Sequence, residues 1–111
     1  MSIAMLLDNP AGSRELYESI LDHMDRTLPL GGILHLAGPS PTGGWRVIEV
    51  WNSTDEAKRF LSDTFAPALR AAGFHGQPPT PQFWPLLVHE AASLQESFYA
   101  DARPQATTTG R

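Results

Sequence analysis

Two short segments with strand character, separated by a loop rich in glycine and proline, constrain the fold of this chain more than any other feature. The first runs from Gly32 to Ala37 and the second from Trp45 to Trp51, where valine, isoleucine and tryptophan are frequent, as β-strands favour. Residues 38–44 between them read Gly-Pro-Ser-Pro-Thr-Gly-Gly, the composition of a hairpin loop. The sequence therefore predicts an antiparallel β-hairpin at the centre of the chain.

The residues before this hairpin predict a strand followed by a helix. An apolar run from Ile3 to Leu7 ends at the turn-forming sequence Asp-Asn-Pro-Ala-Gly and predicts the first strand. Ser13 is a suitable N-cap for a helix that we expect to end near Arg26. The apolar side of this helix carries Leu16, Tyr17, Ile20, Leu21, Met24 and Leu28. Tyr17 is accordingly interpreted as a core residue.

The residues after the hairpin predict a second helix and a fourth strand. Ser53 and Glu56 have the spacing of a capping box at the start of the helix. Pro67 interrupts the helical pattern and predicts a kink or a restart. Residues 83–90 predict the fourth strand, in which Pro85 indicates an edge strand or a bulge. The order βαββαβ predicts an α+β fold, a ferredoxin-like sandwich with its helices on one face of the sheet.

Length and composition indicate one globular domain. The chain has 111 residues, of which 41% are hydrophobic and 18% charged, enough for one core and unlike a disordered protein. The predicted domain covers residues 1–95, and residues 91–99 are weakly helical. Residues 96–111 are polar and are expected to form a partly disordered C-terminal tail.

Several classes of protein are excluded by what the sequence lacks. It has no cysteine, which excludes a disulfide framework, a thiolate nucleophile and a cysteine-ligated metal site. Its four histidines are not closely spaced, so no metal site is expected. A net charge of −4 argues against a nucleic-acid partner, because phosphate binding needs clustered lysine and arginine.

The sequence also shows no segment typical of targeting or of membrane insertion. The apolar N-terminal residues 1–7 have no basic leader. No stretch approaches the roughly 20 apolar residues that a membrane helix needs. We therefore expect a cytoplasmic protein without a membrane partner.

Side-chain alternation along the hairpin predicts two dissimilar faces of the sheet. One face is aliphatic and is expected to cover the helices: Leu34, Leu36, Ile48 and Val50. Matching these residues across the hairpin places His35 opposite Glu49. The other face is then expected to point away from the helices, with His35, Trp45, Glu49 and Trp51. A second copy of the sheet would cover that face and enclose a pocket lined by aromatic side chains.

His35 and Glu49 are the candidate catalytic residues. In the functional interpretation, Glu49 orients the imidazole of His35, which acts as a general base toward a phenolic or carbon-bound proton. In the structural alternative, the two side chains stabilise the sheet or a subunit contact, because buried polar groups need partners in any case. The sequence favours neither interpretation over the other.

Aromatic residues and one asparagine are the candidate substrate-binding residues. Trp45, Trp51, and Phe83 or Trp84 are able to stack on a flat aromatic substrate, although filling the core or an interface is the more common role of such residues. Asn52 follows the third predicted strand and is placed to hydrogen-bond a substrate carbonyl. The alternative is that Asn52 belongs to the turn before the helix.

Three sequence strings resemble a known superfamily. They are GGILHLAGP at 31–39, GGWRVIEVW at 43–51 and APAL at 66–69, at the end of a capped helix. Over roughly residues 2–92 the chain resembles actinobacterial members of the dimeric α+β barrel superfamily and is similar to antibiotic-biosynthesis-monooxygenase-like proteins. The resemblance implies a homodimer whose two sheets form a barrel around, or flanking, the active cavities.

The superfamily includes enzymes with different chemistries, so the resemblance does not select one reaction. Its members include cofactor-independent oxygenases acting on polyketide quinols, polyketide cyclases, lactone isomerases and haem-degrading enzymes. The small haem-degrading relatives carry an axial histidine near the end of the second helix, which aligns near Ala72 and not His75. Their tryptophan in that helix aligns near Asp63. Both departures argue against haem, and no cofactor is expected.

Haem binding is therefore the least favoured of three functions, and two others are preferred. The first is a small enzyme of secondary metabolism that acts on an aromatic or polyketide-like substrate in the barrel cavity. It would be a cofactor-independent monooxygenase or a cyclase or isomerase, with His35 as general base. The alternative is a non-catalytic homodimer that binds a small ligand or serves as an accessory protein.

Overall fold

A computed structural model describes residues 2–24 and 29–87. In chain order its elements are β1 (Ile3–Asn9), α1 (Arg14–Asp22), β2 (Gly32–Pro39), β3 (Trp45–Trp51), α2 (Thr54–Phe60), a π-helical turn (Leu61–Phe65), α3 (Ala66–Ala71) and β4 (Gln82–Pro85). The predicted continuation of the fourth strand to residue 90, the weak helix at 91–99 and the tail at 96–111 lie outside the described residues. No helix within the described ranges is long and apolar enough to cross a membrane.

The four strands that the structure describes form one antiparallel sheet in the order β2-β3-β1-β4. This order places β2 and β4 at opposite edges and confirms the predicted α+β, ferredoxin-like arrangement. The predicted hairpin register is also confirmed, because His35 pairs with Glu49. The same register pairs Leu34 with Val50 and Leu36 with Ile48.

Helices α1 and α2 begin at the predicted serine caps. The Ser13 hydroxyl accepts a hydrogen bond from the backbone N–H of Leu16 at 3.1 Å, and the Ser53 hydroxyl accepts one from Glu56 at 3.1 Å. The first helix ends at Asp22, earlier than the predicted Arg26.

The second predicted helix is divided near its proline. Because Pro67 has no N–H and its ring crowds the preceding carbonyls, the backbone widens into the π-helical turn and α3 begins at Ala66. The predicted restart of the helix is therefore confirmed, with a wider turn than the sequence pattern indicated.

The faces of the sheet are reversed relative to the expectation from the sequence. Tyr17 of α1 contacts both His35 and Trp45, so these residues point toward the helices. We call this side the helix face: His35, Trp45, Val47, Glu49 and Trp51 with Ile3, Met5 and Leu7. We call the other side the open face: Leu34, Leu36, Ile48 and Val50 with Ala4 and Leu6. The aliphatic face therefore points away from the helices.

The reversal has a physical reason. The bulkiest fully buried side chains are Trp51 and Met5, and both pack on the helix face, where the aromatic side chain of Phe60 also contacts the core. These large side chains fill the space between sheet and helices, and the polar groups among them pair with one another. On the open face, within the part of the chain that the structure describes, Leu36 is 51% exposed.

An ion pair also lies on the open face. Arg46 donates two hydrogen bonds to Asp8, from Nε to Oδ1 at 2.7 Å and from NH2 to Oδ2 at 2.8 Å. The two residues are direct cross-strand neighbours of β1 and β3. Hydrogen bonds from Arg46, aided by its charge, lower the pKa of the Asp8 carboxyl, and the same contacts raise the pKa of Arg46.

Candidate active site

A chain of short hydrogen bonds connects α1 to the centre of the sheet. The hydroxyl of Tyr17 lies 2.6 Å from Nε2 of His35, and Nδ1 of the same imidazole lies 2.6 Å from Oε2 of Glu49. The other carboxylate oxygen, Oε1, accepts a hydrogen bond from the indole Nε1–H of Trp51 at 2.9 Å. We call Tyr17, His35 and Glu49 together the relay.

Donor and acceptor chemistry determines how protons are arranged along the relay. An ionised carboxylate can only accept, so Nδ1 of His35 donates to Glu49. A neutral imidazole then has an acceptor at Nε2, to which the hydroxyl of Tyr17 donates a hydrogen bond. The hydroxyl of Tyr17 is thus bonded to a chain that is able to receive its proton.

The two ends of the relay differ in their accessibility. Glu49 lies in β3 between β1 and β2, opposite Met5 on one side and His35 on the other, and its side chain is only 6% exposed. The His35 side chain lies on the edge strand β2 and is 28% exposed. A buried carboxylate is costly unless hydrogen-bonded, and Glu49 is bonded at both oxygens. His35 is therefore more accessible than Glu49.

A cavity of about 60 Å³ lies between α1, the helix face and the π-helical turn. Its wall includes all three relay residues and three further aromatic side chains: Tyr17, His35, Glu49, Trp45, Phe60 and Phe65. This volume is less than half of the roughly 150 Å³ of an apolar cavity that accommodates benzene. Apart from the relay, the surrounding side chains are mainly apolar, so the cavity suits a small, flat ligand with few polar groups.

The π-helical turn supplies one wall of the cavity. Phe60 ends α2 and Phe65 ends the π-helical turn, and both side chains line the cavity with ring centroids 6.5 Å apart. The wider turn before Pro67 changes the angular spacing of successive side chains. Neither phenylalanine was identified as a site residue from the sequence, because a regular helical period treats both as core.

Trp45 forms another wall beside the relay. Its ring lies 5.3 Å from the ring of Tyr17, centroid to centroid, with the planes tilted by 33°. Its indole Nε1 is buried and has no hydrogen-bond partner among the residues that the structure describes. Gly12 also lines the cavity, and a Cβ at Gly12 would lie 2.9 Å from Cβ of Trp45. The small residue thus leaves room for the indole.

The structure brings together three of the predicted site residues, His35, Glu49 and Trp45, and places the other four outside the cavity wall. Trp51 is fully buried behind the wall and contacts Phe60, with ring centroids 5.2 Å apart. Asn52 is exposed, and its backbone N–H donates to the carbonyl of Gly31.

The remaining two aromatic residues lie on β4. Phe83 packs against the core of the helix face, and the ammonium group of Lys58 lies 5.9 Å from its ring centroid. Trp84 pairs with Ala4 on the open face and is 41% exposed. Neither side chain lines the cavity, so stacking on a ligand there is left to Trp45 and the phenylalanines.

Tyr17 is the functional candidate that sequence reasoning missed. Its place on the apolar side of the first helix led to a core assignment, yet its hydroxyl reaches His35. The sequence did contain a signal. If His35 and Glu49 point toward the helices, Tyr17 on the apolar side of the first helix faces them. The reversed assignment of the faces concealed it.

The described residues contain no cluster of three or more histidine or acidic side chains suited to a metal ion. His23 follows α1, where its Nδ1 lies 2.8 Å from the carbonyl of Ser19. His75 is exposed in the loop after α3 and does not line the cavity beside the relay. Within the described ranges, His35 is thus the histidine that reaches this cavity.

Comparisons with known proteins identify the fold. No protein-family model and no curated protein matches the sequence. Among solved structures, a proposed antibiotic biosynthesis monooxygenase from Chloroflexus aurantiacus superposes with a TM-score of 0.58 at 15% identity, over 84% of this chain and 100% of that one. A protein of unknown function from Nitrosomonas europaea gives 0.56 at 16% identity, over 83% and 93%. A proposed antibiotic biosynthesis monooxygenase from Caulobacter crescentus gives 0.52 at 22% identity, over 78% and 89%.

The chain therefore has the α+β fold of antibiotic-biosynthesis-monooxygenase-like proteins, which confirms the resemblance in fold stated from the sequence. At these identities the likeness describes the fold and leaves the reaction open. The chemistry must be argued from the relay and the cavity.

Proposed function

We propose that the protein is a small enzyme that removes a proton from an aromatic or polyketide-like substrate bound beside the relay. The observation that carries this proposal is the continuous hydrogen-bonded chain from Tyr17 through His35 to Glu49, which borders an apolar cavity. A satisfied polar chain of this kind inside an apolar cavity is a common arrangement for general base catalysis.

Proton removal follows from the order of the groups. The phenolic proton of Tyr17 passes to Nε2 of His35, and the resulting phenolate takes a proton from a hydroxyl or an acidic C–H of the substrate. Glu49 keeps the imidazole oriented and stabilises the imidazolium, as the carboxylate does in serine–histidine–aspartate triads. The products of the step are a substrate anion and a protonated His35, so the proton is accounted for. Relative to the sequence-based hypothesis, His35 acts through Tyr17.

The substrate anion is the shared intermediate of the two reaction classes that the sequence left open. In a cofactor-independent monooxygenase, an electron-rich anion reduces molecular oxygen directly. In a cyclase or isomerase, the anion attacks a carbonyl carbon or is protonated at another atom. Consumption of oxygen on addition of substrate would distinguish the first class from the second.

The proton-transfer step is testable with 4-nitrophenol, a single-ring phenol whose anion absorbs visible light. At a mildly acidic pH, where the free phenol is protonated, saturating protein should increase the anion absorbance. His35→Ala should lower the ionisation constant of the bound phenol by about tenfold or more, because the proton acceptor is removed. His75→Ala, which removes an exposed histidine, is the matched control. Bound phenol that ionises equally in wild type and His35→Ala would refute the relay.

The second candidate function is binding of a small apolar molecule without chemistry. The observation that favours it is the small volume of the cavity, about 60 Å³, beside a relay whose polar groups are already paired. This function predicts tight binding of 4-nitrophenol in its protonated form, with no gain of anion absorbance.

We also propose that two copies of the chain associate through the open face. The support is the half-exposed Leu36, the aliphatic composition of that face and the presence of Trp84 at 41% exposure on the same side. Light scattering after size exclusion should report a dimer, and a stable monomer at micromolar concentration would refute the association.

A further inference from the structure

Two donors from different strands hold the buried carboxylate of Glu49. Its Oε2 lies 2.6 Å from Nδ1 of His35 on β2, and its Oε1 accepts the indole N–H of Trp51 at 2.9 Å. Trp51 lies two residues further along β3, so its side chain points to the same face of the sheet as that of Glu49. The proposed proton transfer uses the contact with His35 and assigns no role to the contact with Trp51.

Packing fixes the direction in which the N–H of Trp51 points. The side chain is fully buried in the core cluster that includes Ile3 and Met5, and its ring lies 5.2 Å from the ring of Phe60, centroid to centroid. It does not line the cavity beside the relay. Because an indole nitrogen can only donate, Oε1 of Glu49 is held against a fixed hydrogen-bond donor.

We propose that Trp51 is a positioning residue of the relay, whose N–H keeps Glu49 ionised and thereby selects the tautomer of His35. This role deepens the proposed function and rests on it. Burial disfavours the charged form of a carboxyl group, and a hydrogen bond donated to that form stabilises it. The Glu49 side chain is only 6% exposed, so the donor from Trp51 offsets part of the cost of burying its charge.

The charge on Glu49 determines which imidazole nitrogen of His35 carries the proton. An ionised carboxylate can only accept, so Nδ1–H donates to it and Nε2 accepts from the hydroxyl of Tyr17. A protonated Glu49 would donate to Nδ1 instead, and the neutral imidazole would carry its proton on Nε2. That Nε2–H would donate to the oxygen of Tyr17 and could not take up the phenolic proton.

The groups that face Glu49 leave its charge dependent on few neighbours. His35 approaches it from β2, Met5 lies opposite on β1, and Trp51 is beside it on β3. Tyr17 reaches it from α1 through His35. The titratable residues of the cavity wall, which includes side chains of both helical layers, are the relay residues themselves. The N–H of Trp51 is thus the donor that stabilises the carboxylate from outside the relay.

The location of one added proton distinguishes wild type from a chain without the indole N–H. In wild type Glu49 stays ionised, so a proton added on acidification binds Nε2 of His35 and gives an imidazolium. Without the N–H, Oε1 is buried and unpaired, so the added proton binds Glu49 and the imidazole proton moves from Nδ1 to Nε2. The two products contain the same number of protons and differ only in where these lie.

The test follows both imidazole nitrogens of His35 by nitrogen-15 chemical shift while the free protein is acidified. Trp51→Phe keeps a buried aromatic ring and removes the N–H. Wild type should change directly from the Nδ1–H form to the imidazolium, whereas Trp51→Phe should pass through a neutral ring protonated on Nε2. Trp84→Phe, which removes an indole on the open face, should behave as wild type. The same sequence of forms in wild type and Trp51→Phe would overturn the proposal.

A second variant retains the shape of the indole. If Trp51→Phe does not fold, β-(3-benzothienyl)alanine is incorporated at Trp51, where a sulfur atom replaces the N–H in a ring system of nearly the same shape. The Nε2–H tautomer should again appear on acidification. Because packing is preserved, this result would separate the hydrogen bond from a purely structural role of the ring. Direct formation of the imidazolium in this protein would refute the positioning role.

Failure of this inference is distinguishable from failure of the proposed function. With 4-nitrophenol, loss of the N–H should lower the ionisation constant of the bound phenol about tenfold, the usual effect of one hydrogen bond to a charged group. Wild type that ionises the phenol through His35, with an unchanged constant in Trp51→Phe, would refute the positioning role and support the relay. A tautomer change in Trp51→Phe, with no ionisation of the phenol by wild type, would support the positioning role and refute the proposed function.

Discussion

The two faces of one sheet carry different chemistry. The helix face contains a buried carboxylate and an imidazole, each hydrogen-bonded to a partner within the chain. The open face is aliphatic, with one bidentate ion pair between Asp8 and Arg46. The comparison teaches that apolar composition does not by itself identify the core of a single chain. Here the polar relay is inside the subunit, and the aliphatic face that points away from the helices includes the half-exposed Leu36.

If the faces have separate roles, a substitution on the open face should abolish association and leave the cavity unchanged. Leu36→Asp places a charge on a 51% exposed position, so the subunit should fold, but the dimer dissociation constant should rise by about a hundredfold or more. Light scattering and 4-nitrophenol binding report the two faces separately. Leu30→Asp, at a 93% exposed leucine before β2, is the control. Loss of 4-nitrophenol binding in folded Leu36→Asp would show that the two faces do not have separate roles.

A substitution that damages the framework should affect both faces together. Gly44 has φ of +83°, and an added Cβ would lie 2.1 Å from the carbonyl oxygen of Asn9. Gly44→Ala should therefore reduce the free energy of unfolding by about 2 kcal/mol, measured by urea denaturation. Gly43 has φ of +103° and open space where an added Cβ would lie. A substitution there separates backbone strain from crowding. Gly43→Ala should cost about 1 kcal/mol. Equal losses would show that crowding against Asn9 has no effect.

A conservative change on the helix face should impair chemistry without impairing association. Glu49→Gln keeps the shape of the side chain but removes the charge that stabilises the imidazolium. The ionisation constant of bound 4-nitrophenol should fall by about tenfold, while the dimer persists. Glu15→Gln, at an exposed position of α1, is the matched control. A Glu49→Gln protein that ionises the phenol as wild type does would remove Glu49 from the relay.

The smallest effect is expected at the ion pair of the open face, and it depends on pH. Because Arg46 lowers the pKa of Asp8 in the folded chain, Asp8 contributes stability above the ordinary range of a carboxyl, about pH 4. That contribution is lost as the pH falls through the folded pKa. Asp8→Asn should therefore be less stable than wild type at pH 7, and the difference should shrink on acidification. A difference that grows toward pH 3 in urea denaturation would contradict this sign.

Local rules were sufficient to predict much of the fold and one contact of the site. The hairpin register followed from alternation in two short strands, and it placed His35 beside Glu49 correctly. The serine caps followed from the hydrogen-bonding needs of helix N-termini. Each of these features depends on neighbours in sequence or directly across a strand pair.

The remaining features depend on how layers pack. Alternation determines which residues share a face, but both faces of this sheet are apolar enough to accept the helices. Trp51 and Met5 fill the interior on one side, and this choice brings Tyr17 to His35. The wall formed by Phe60 and Phe65 depends on a single wider turn before Pro67, which a helical period of 3.6 does not reveal.

The protonation state of His35 tests the central claim most directly. Nitrogen-15 chemical shifts of its imidazole distinguish a neutral ring from an imidazolium in the intact protein. The free protein should show a neutral ring with the proton on Nδ1, which donates to Glu49. Saturation with 4-nitrophenol should protonate both imidazole nitrogens of His35. The measurement uses the wild-type protein, in which the open face with Leu36 is not altered. A ring that stays neutral when the phenol is bound would contradict the proton transfer on which the account depends.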